Sequence, residues 1–260
     1  MKYIVCVKQV PGTNEVRLDP ETHAILRDGR AAVINPLDYV ALETAVRLKK
    51  KYGGTVTALS MGIPAAEALL RDAAARGADS GLLLTDRAFA GADTLATSYT
   101  LSLGVKAAGG ADLILCGKNA IDGDTAQIGP ELAAVLGYSL ATDAEEVLAL
   151  DEVSVTVRKV TDAGTQTVRL SLPAVVTVLG TALQPSLPTL SGVRRSLDAP
   201  IRVMNAAEAG ADPARIGFSG SPTAVLKTFV SESTRAGQNL PEDTDPADWL
   251  RGEIRKAGGM

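Results

Sequence analysis

Along the chain, short apolar runs alternate with longer segments whose apolar residues recur every three or four positions. Tyr3 to Val7, Val56 to Ser60, Gly81 to Leu84 and Asp112 to Cys116 are the runs, and their texture is that of strands buried on both faces. Asn35-Pro36 opens a helix to about Lys50, with Val40, Leu42, Ala45, Val46 and Leu48 on its apolar side. Asn35 suits an N-cap and Pro36 the first helical position, and Gly53-Gly54 ends the helix. Pro64 to Ala75 reads as an alanine-rich helix closed by Gly77. Asp93 to about Ala107 reads as a helix capped by Asp93 or Thr94. Between the first strand and the first helix, Lys8 to Arg30 is polar and loop-like, with turn signals at Pro11-Gly12 and Asp28-Gly29. Ala32 to Ile34 is a short apolar piece.

Strands alternating with helices predict an α/β fold built on a doubly wound, mostly parallel sheet. In such a sheet the ligand sits beyond the carboxyl ends of the strands. Cys6 to Val10, Asn35 to Asp38, Met61-Gly62 and Gly117 to Gln127 are all strand-end segments, brought to one edge by this topology. Asp112 to Gly137 is the most informative stretch: strand, turn at Gly117, polar loop, helix from Glu131 to Leu136, stop at Gly137. Asp122, Gly123, Asp124 and Thr125 are turn and N-cap residues, and Pro130 belongs in the first helical turn. A loop leading from a buried strand into a helix N-terminus suits a phosphate, although any strand-to-helix turn carries Gly, Asp and Thr. No G-x-G-x-x-G follows the first strand, and Gly117-Lys118-Asn119 lacks the other elements of a P-loop.

After Gly137 the texture changes. Val153 to Val160 and Thr165 to Leu170 alternate around Asp162-Ala163-Gly164, a hairpin added to the sheet. Pro173 leads into a strand from Ala174 to Leu179. Gln184 to Leu197 reads as an exposed loop carrying Leu187, Leu190 and the basic pair Arg194-Arg195. Pro200 to Ala209 gives a short strand and a helical turn. From Gly210 the chain shows little periodicity until Trp249 to Lys256. Such a tail cannot build its own core; it is either disordered or an arm on a partner, and Phe229 and Trp249 favour the arm.

Among the 260 residues, 46% are hydrophobic and 22% charged, which allows a substantial core. A net charge of -4 gives no general pull toward nucleic acid or an anionic membrane, and aromatics at 3% are too few for a base-stacking surface. The start is too short an apolar run for a signal peptide and no stretch is apolar enough to span a bilayer, so a cytoplasmic protein is expected. Two cysteines, Cys6 and Cys116, exclude a disulfide framework or metal cluster, and both read best as small buried hydrophobes. The one histidine, His23, lies in a polar loop with nothing nearby to support a catalytic triad. Redox chemistry would have to come from a cofactor.

The segments VKQVPG, INPLDYVALETAVRLK, VTALSMG, RGADSGLLL, LCGKNAIDGDTAQIGP, LSLPAVVTV and SLPTLSG together make the chain resemble the β subunit of electron transfer flavoprotein through most of its length. The resemblance implies a Rossmann-like, adenine-nucleotide-binding domain over residues 1–205 and a C-terminal arm over 206–260 packing on an α subunit that carries the electron-transferring FAD. Ordinary members read like IDDD in the central loop and bind AMP. Here Ile121 to Gln127, and Gly91 to Ser98, look like the electron-bifurcating members of the nitrogen-fixation and caffeyl-CoA reductase types. In those, the β subunit holds a second FAD that takes hydride from NADH. FAD contains AMP, so one adenine-phosphate pocket serves either.

By that resemblance Cys6, Asn35, Pro36, Leu37, Asp38 and Met61 line the adenosine end, largely through backbone. Gly117, Lys118, Asn119, Asp122, Gly123, Asp124, Thr125, Ala126, Gln127 and Ile128 form the phosphate and flavin loop. Thr94, Thr97 and Thr125 offer hydroxyls, with helix caps and surface threonines as the plain alternative. Lys118 reads equally well as a solvated loop lysine. Asp38 and Asp124 are candidates for indirect contact with the flavin or its phosphates, and no residue stands out as acid, base or nucleophile. Within 184–197, Leu187 and Pro188 match the family's docking point for acyl-CoA dehydrogenase-like partners, with Arg194 and Arg195 where lysines are usual. The implied function passes one electron to the α-subunit FAD and on to an acyl-CoA dehydrogenase or quinone-linked acceptor, and the other to ferredoxin or flavodoxin. The alternatives are an ordinary carrier holding structural AMP and a universal-stress-type ATP-binding domain.

Overall fold

β1 (Lys2–Cys6) lies at the centre of a nine-stranded sheet ordered β11-β5-β4-β1-β6-β10-β7-β8-β9. The computed structural model describes residues 1–12, 32–225, 240 and 244–256; the 13–31 part of the expected loop, with His23, and also Phe229, lie outside the described residues. From β1 the chain runs through α1 (Pro36–Tyr52), β4 (Thr55–Met61), α2 (Glu67–Ala75) and β5 (Ser80–Leu84). It then crosses back through α3 (Thr94–Ala107) to β6 (Leu113–Gly117), on the other side of β1. The order therefore reverses between β1 and β6, which opens a crevice at their carboxyl ends. Beyond β6 come α4 (Ile128–Leu136), β7 (Ser139–Leu150), β8 (Ser154–Thr161), β9 (Gly164–Ser171) and β10 (Ala174–Val178). β11 (Ile201–Met204) closes the far edge beside β5.

Both faces of the parallel part are covered, as the continuous apolar runs require. Tyr3, Val5 and Val7 pack with Leu42 and Val46 of α1 and Leu70 of α2, whereas Ile4 and Cys6 face Tyr99 and Leu103 of α3 and Leu132 of α4. Close approach is built in by glycine. A Cβ on Gly104 would come within 2.6 Å of Leu59 in β4, and one on Gly129 within 2.2 Å of Thr177 in β10.

Several local expectations change. The segment after β1 is not all loop: β2 (Gln9–Pro11) pairs antiparallel with β3 (Ala32–Ile34). This ribbon carries Asn35 back against the end of β1, where its N–H donates to the Lys8 carbonyl at 2.9 Å. β8 and β9 form the expected hairpin, but β7 makes it a three-stranded meander. Its pairing with β8 shifts register twice, between Ala144 and Glu146 and between Val147 and Ala149, and these bulges break the alternation by which a strand is recognised. The expected 184–197 loop contains a helix, α5 (Leu190–Leu197), whose N-cap Thr189 accepts from Gly192 N–H at 3.0 Å. α4 begins at Ile128 rather than Glu131, and its N-cap is Gln127 rather than Asp122, Asp124 or Thr125.

The chain divides into two compact units, Met1–Leu226 and Lys227–Met260. Residues 206–225, expected in the arm, belong to the first: Ile216 is buried, and the Arg215 guanidinium lies 3.9 Å from the centre of the Tyr99 ring. The second unit contains α6 (Pro246–Lys256), with Trp249 half-buried and Leu250 and Ile254 exposed. Among the described residues no helix is long and apolar enough to cross a membrane.

Candidate functional site

The first turn of α1 enters the β1–β6 crevice. Asp38, third in the helix, is buried, and its carboxylate accepts Lys8 N–H at 2.8 Å and Gly117 N–H at 3.2 Å. Burial pushes this carboxyl up to about 7, against the hydrogen bonds from Lys8, Asn35 and Gly117 that favour its charged form. Gly117 has no room for a side chain: a Cβ would lie 2.5 Å from Asp38 Oδ1 and 2.8 Å from Leu37.

Asn35 occupies the N-cap position of α1 but does not cap it with its side chain. Its Nδ2 donates to the Asn119 carbonyl at 2.9 Å and its Oδ1 accepts Ile121 N–H at 3.2 Å. The loop after β6 is tied again where Lys8 Nζ meets Asp122 at 2.7 Å, and where Asn119 donates through its side chain to Asp124. Asp124 and Ala126 hold φ of 50° and 53°, a left-handed conformation uncommon outside glycine. The loop's two carboxylates thus each have a partner, and Gly123 faces open space, its nearest neighbour to an added Cβ being Lys8 Nζ at 3.9 Å. The α4 N-terminus behind the loop has no side-chain cap, so its partial positive charge is available to an anion.

The remaining expected residues divide. Cys6 and Cys116 are buried together under α3 and α4, and the Cys116 thiol is pushed up by its hydrogen bond to Cys6 and by burial; both behave as small core residues. Met61 and Leu37 are half-buried at the crevice edge and Pro36 is exposed. Lys118 pairs with Asp143 at 2.6 Å, which replaces the purely solvated reading of this side chain. Asp143 itself holds φ 57°; burial opposes its charge, but Lys118 and Thr142 together lower it below the usual carboxylate range. Lys118 and Asp143 also border a cavity of about 350 Å³. Thr94 donates its hydroxyl to Glu131 at 2.9 Å, and Ser98 donates to the other oxygen at 3.1 Å, stapling α3 to α4. Thr97 is half-buried on α3, while Thr125 and Gln127 are exposed in the loop. Lys8, Glu131 and Asp143 were not singled out from sequence. Lys8 stands inside the noted VKQVPG segment, but only the fold puts it opposite Asp122.

The segment carrying Leu187 is fastened at both ends. Glu43 accepts from the Ser186 N–H and hydroxyl, each at 3.2 Å, and Arg76 donates to the Ser186 carbonyl at 2.9 Å. Arg71 donates to the Ser196 and Leu197 carbonyls, each at 3.2 Å. Between these anchors Leu187 is 82% and Leu190 92% exposed. Arg194 and Arg195 are exposed on α5, and Pro188 is half-buried.

Fold and crevice together define a doubly wound α/β protein with a crevice at the β1–β6 switch point. Residues 22–209 match the electron transfer flavoprotein domain. The chain is 40% identical to Protein FixA of Azotobacter vinelandii, across 98% of this chain and 94% of that protein. It is 41% identical to the electron transfer flavoprotein subunit beta of Clostridium acetobutylicum, across 95% of each. It is 38% identical to the caffeyl-CoA reductase-Etf complex subunit CarD of Acetobacterium woodii, across 94% and 93%. The chain belongs to the electron transfer flavoprotein family, among its β subunits.

Proposed function

We propose that this β subunit holds FAD in the β1–β6 crevice and, with an α subunit, passes electrons from NADH along two routes. One leads through the α-subunit FAD to an acyl-CoA dehydrogenase or quinone-linked acceptor, the other to ferredoxin or flavodoxin. The observation that carries this reading is the state of the 117–127 loop. Asp122 is neutralised by Lys8, Asp124 accepts from Asn119, Gly123 is open, and the α4 N-terminus is uncapped. Among the described residues, an anionic diphosphate longer than a single phosphate meets no loop carboxylate without an ion-pair or hydrogen-bond partner, and it has a helix N-terminus to face. Bound FAD would supply the exchange between two-electron and one-electron chemistry. The chain's own residues bind and orient it: the backbone of Asn35 to Asp38 together with Met61 at the adenosine end, and Gly117 to Ile128 along the phosphates and flavin. Leu187 and Pro188, flanked by Arg194 and Arg195, present the docking point for the acceptor, and the 227–260 unit supplies the arm on the α subunit.

A second reading keeps AMP in the same crevice and makes the subunit an ordinary carrier. Thr94 favours it, because that hydroxyl is taken by Glu131 rather than turned to a ligand. Relatedness along nearly the full length favours either reading over a universal-stress-type ATP-binding domain. The test is anaerobic titration of the purified αβ complex with NADH. Bleaching of the flavin absorbance at stoichiometric NADH supports the FAD reading; no bleaching rejects it.

A further inference from the structure

On the reading that the β1–β6 crevice holds an adenine nucleotide, we infer that Asn35 and Asp38 are positioning residues: their side chains hold the crevice loops in place without touching the nucleotide. Their polar atoms point into the protein. Asn35 is 0% and Asp38 6% exposed, so Asn35 presents no surface to a ligand and Asp38 very little. Their hydrogen-bonding capacity is taken up by the walls. Asp38 joins the segment after β1, at Lys8 N–H, to the segment after β6, at Gly117 N–H. Asn35 grips the next part of that second segment from both sides, at the Asn119 carbonyl and Ile121 N–H.

Both residues stand on one rigid platform. α1 is anchored by Val40, Ala41 and Leu42, each no more than 3% exposed, and the β2–β3 ribbon fixes Asn35 against Lys8. The left-handed residues Asp124 and Ala126 lie in the same loop, just beyond the gripped stretch. Asn119, whose backbone Asn35 holds, is also the residue whose side chain engages Asp124. Shifting Asn119 therefore shifts the part of the loop facing the ligand. An asparagine in the cap position would ordinarily serve its own helix; here the cap is given up and the amide serves the loop.

The experiment uses the αβ complex carrying Asp38→Asn, and separately Asn35→Ala. The dissociation constants of FAD and of AMP, the visible circular dichroism of the bound flavin and the unfolding temperature are measured. Asp38→Asn keeps the shape but turns one acceptor into a donor facing an N–H, which frees one wall of the crevice. Each variant is expected to weaken the resident nucleotide about 10- to 100-fold, the equivalent of one buried group left unpaired. The flavin dichroism should change with it. If the Asp38 carboxylate instead touched the phosphates, removing its charge would tighten binding. Tighter or unchanged binding, or a lower unfolding temperature with affinity and dichroism unaltered, overturns the positioning role. If the wild-type complex binds AMP but not FAD, the flavin reading fails, and the positioning role is then decided by the AMP constants alone.

Discussion

Lys8 Nζ lies 2.7 Å from Asp122 Oδ1, and the two residues sit on opposite sides of the point where the strand order reverses. The pair is partly exposed, so its net worth to stability is small, about 0–1 kcal/mol. On the proposed function its larger effect is electrostatic, because without Lys8 the Asp122 carboxylate would face the anionic nucleotide unpaired. Lys8→Gln is expected to leave the unfolding free energy within about 1 kcal/mol and to weaken nucleotide binding several-fold. Adding Asp122→Asn should restore most of that affinity. Equilibrium binding by the single and double variants checks this, and a double variant no better than Lys8→Gln would contradict it.

Gly117 admits no larger residue. With a Cβ placed 2.5 Å from Asp38 Oδ1, Gly117→Ala must push α1 or β6 aside, which costs about 1–3 kcal/mol. Urea unfolding would show a lower midpoint at unchanged slope. Gly123→Ala is the control: among the described residues nothing lies closer than 3.9 Å, so its midpoint should barely move.

Asp38 makes stability depend on pH in an identifiable direction. Its carboxyl is pushed up to about 7 by burial, against an ordinary 3.8. Between those values the unfolded chain has lost this proton and the folded chain retains it. The group's contribution to stability therefore falls as pH rises from about 4 to about 7, and is level above that. Among the described residues the charged and titratable neighbours are Lys8 and Cys116; Lys8 favours the ionised carboxylate, and the Cys116 thiol is raised well above its ordinary value, outside this window. The difference in unfolding free energy between wild type and Asp38→Asn should favour wild type more at about pH 5 than at about pH 8. Equal differences at the two pH values would contradict the assignment.

With Leu187 as the proposed docking point, Leu187 and Arg76 separate docking from support. Leu187 is 82% exposed, so Leu187→Ala should change stability by no more than about 0.5 kcal/mol while raising the KM for an acyl-CoA dehydrogenase-type partner about tenfold. Arg76 holds the Ser186 carbonyl and stacks 4.1 Å from the centre of the Tyr39 ring. Arg76→Ala should therefore lower stability as well as partner affinity. Thermal unfolding beside steady-state kinetics distinguishes the two variants.

How far the sequence could be read follows from what each element answers to. The buried parallel strands and α1 to α3 were legible because their apolar runs are local signals, and α3 also by its cap, where Asp93 accepts from Ala96 N–H at 3.1 Å. β7 was not legible, since its bulges interrupt alternation. α5 was missed because Leu190, Val193 and Leu197 point outward at helical spacing, beside two prolines that read as a loop. At the site, the strand-end segments converged as the topology required. The partners inside it could not be read: Asn35 looked like a cap and bonds Asn119, and Thr94 looked like a ligand donor and bonds Glu131. Those contacts join residues 84 and 37 positions apart, and local pattern carries no trace of them.

The most direct test of the account is the nucleotide content of the purified αβ complex, released by denaturation and separated into FAD and AMP. Two FAD and no AMP per heterodimer are expected. One FAD and one AMP would contradict this, leaving an ordinary electron carrier whose crevice loops are held in the same way.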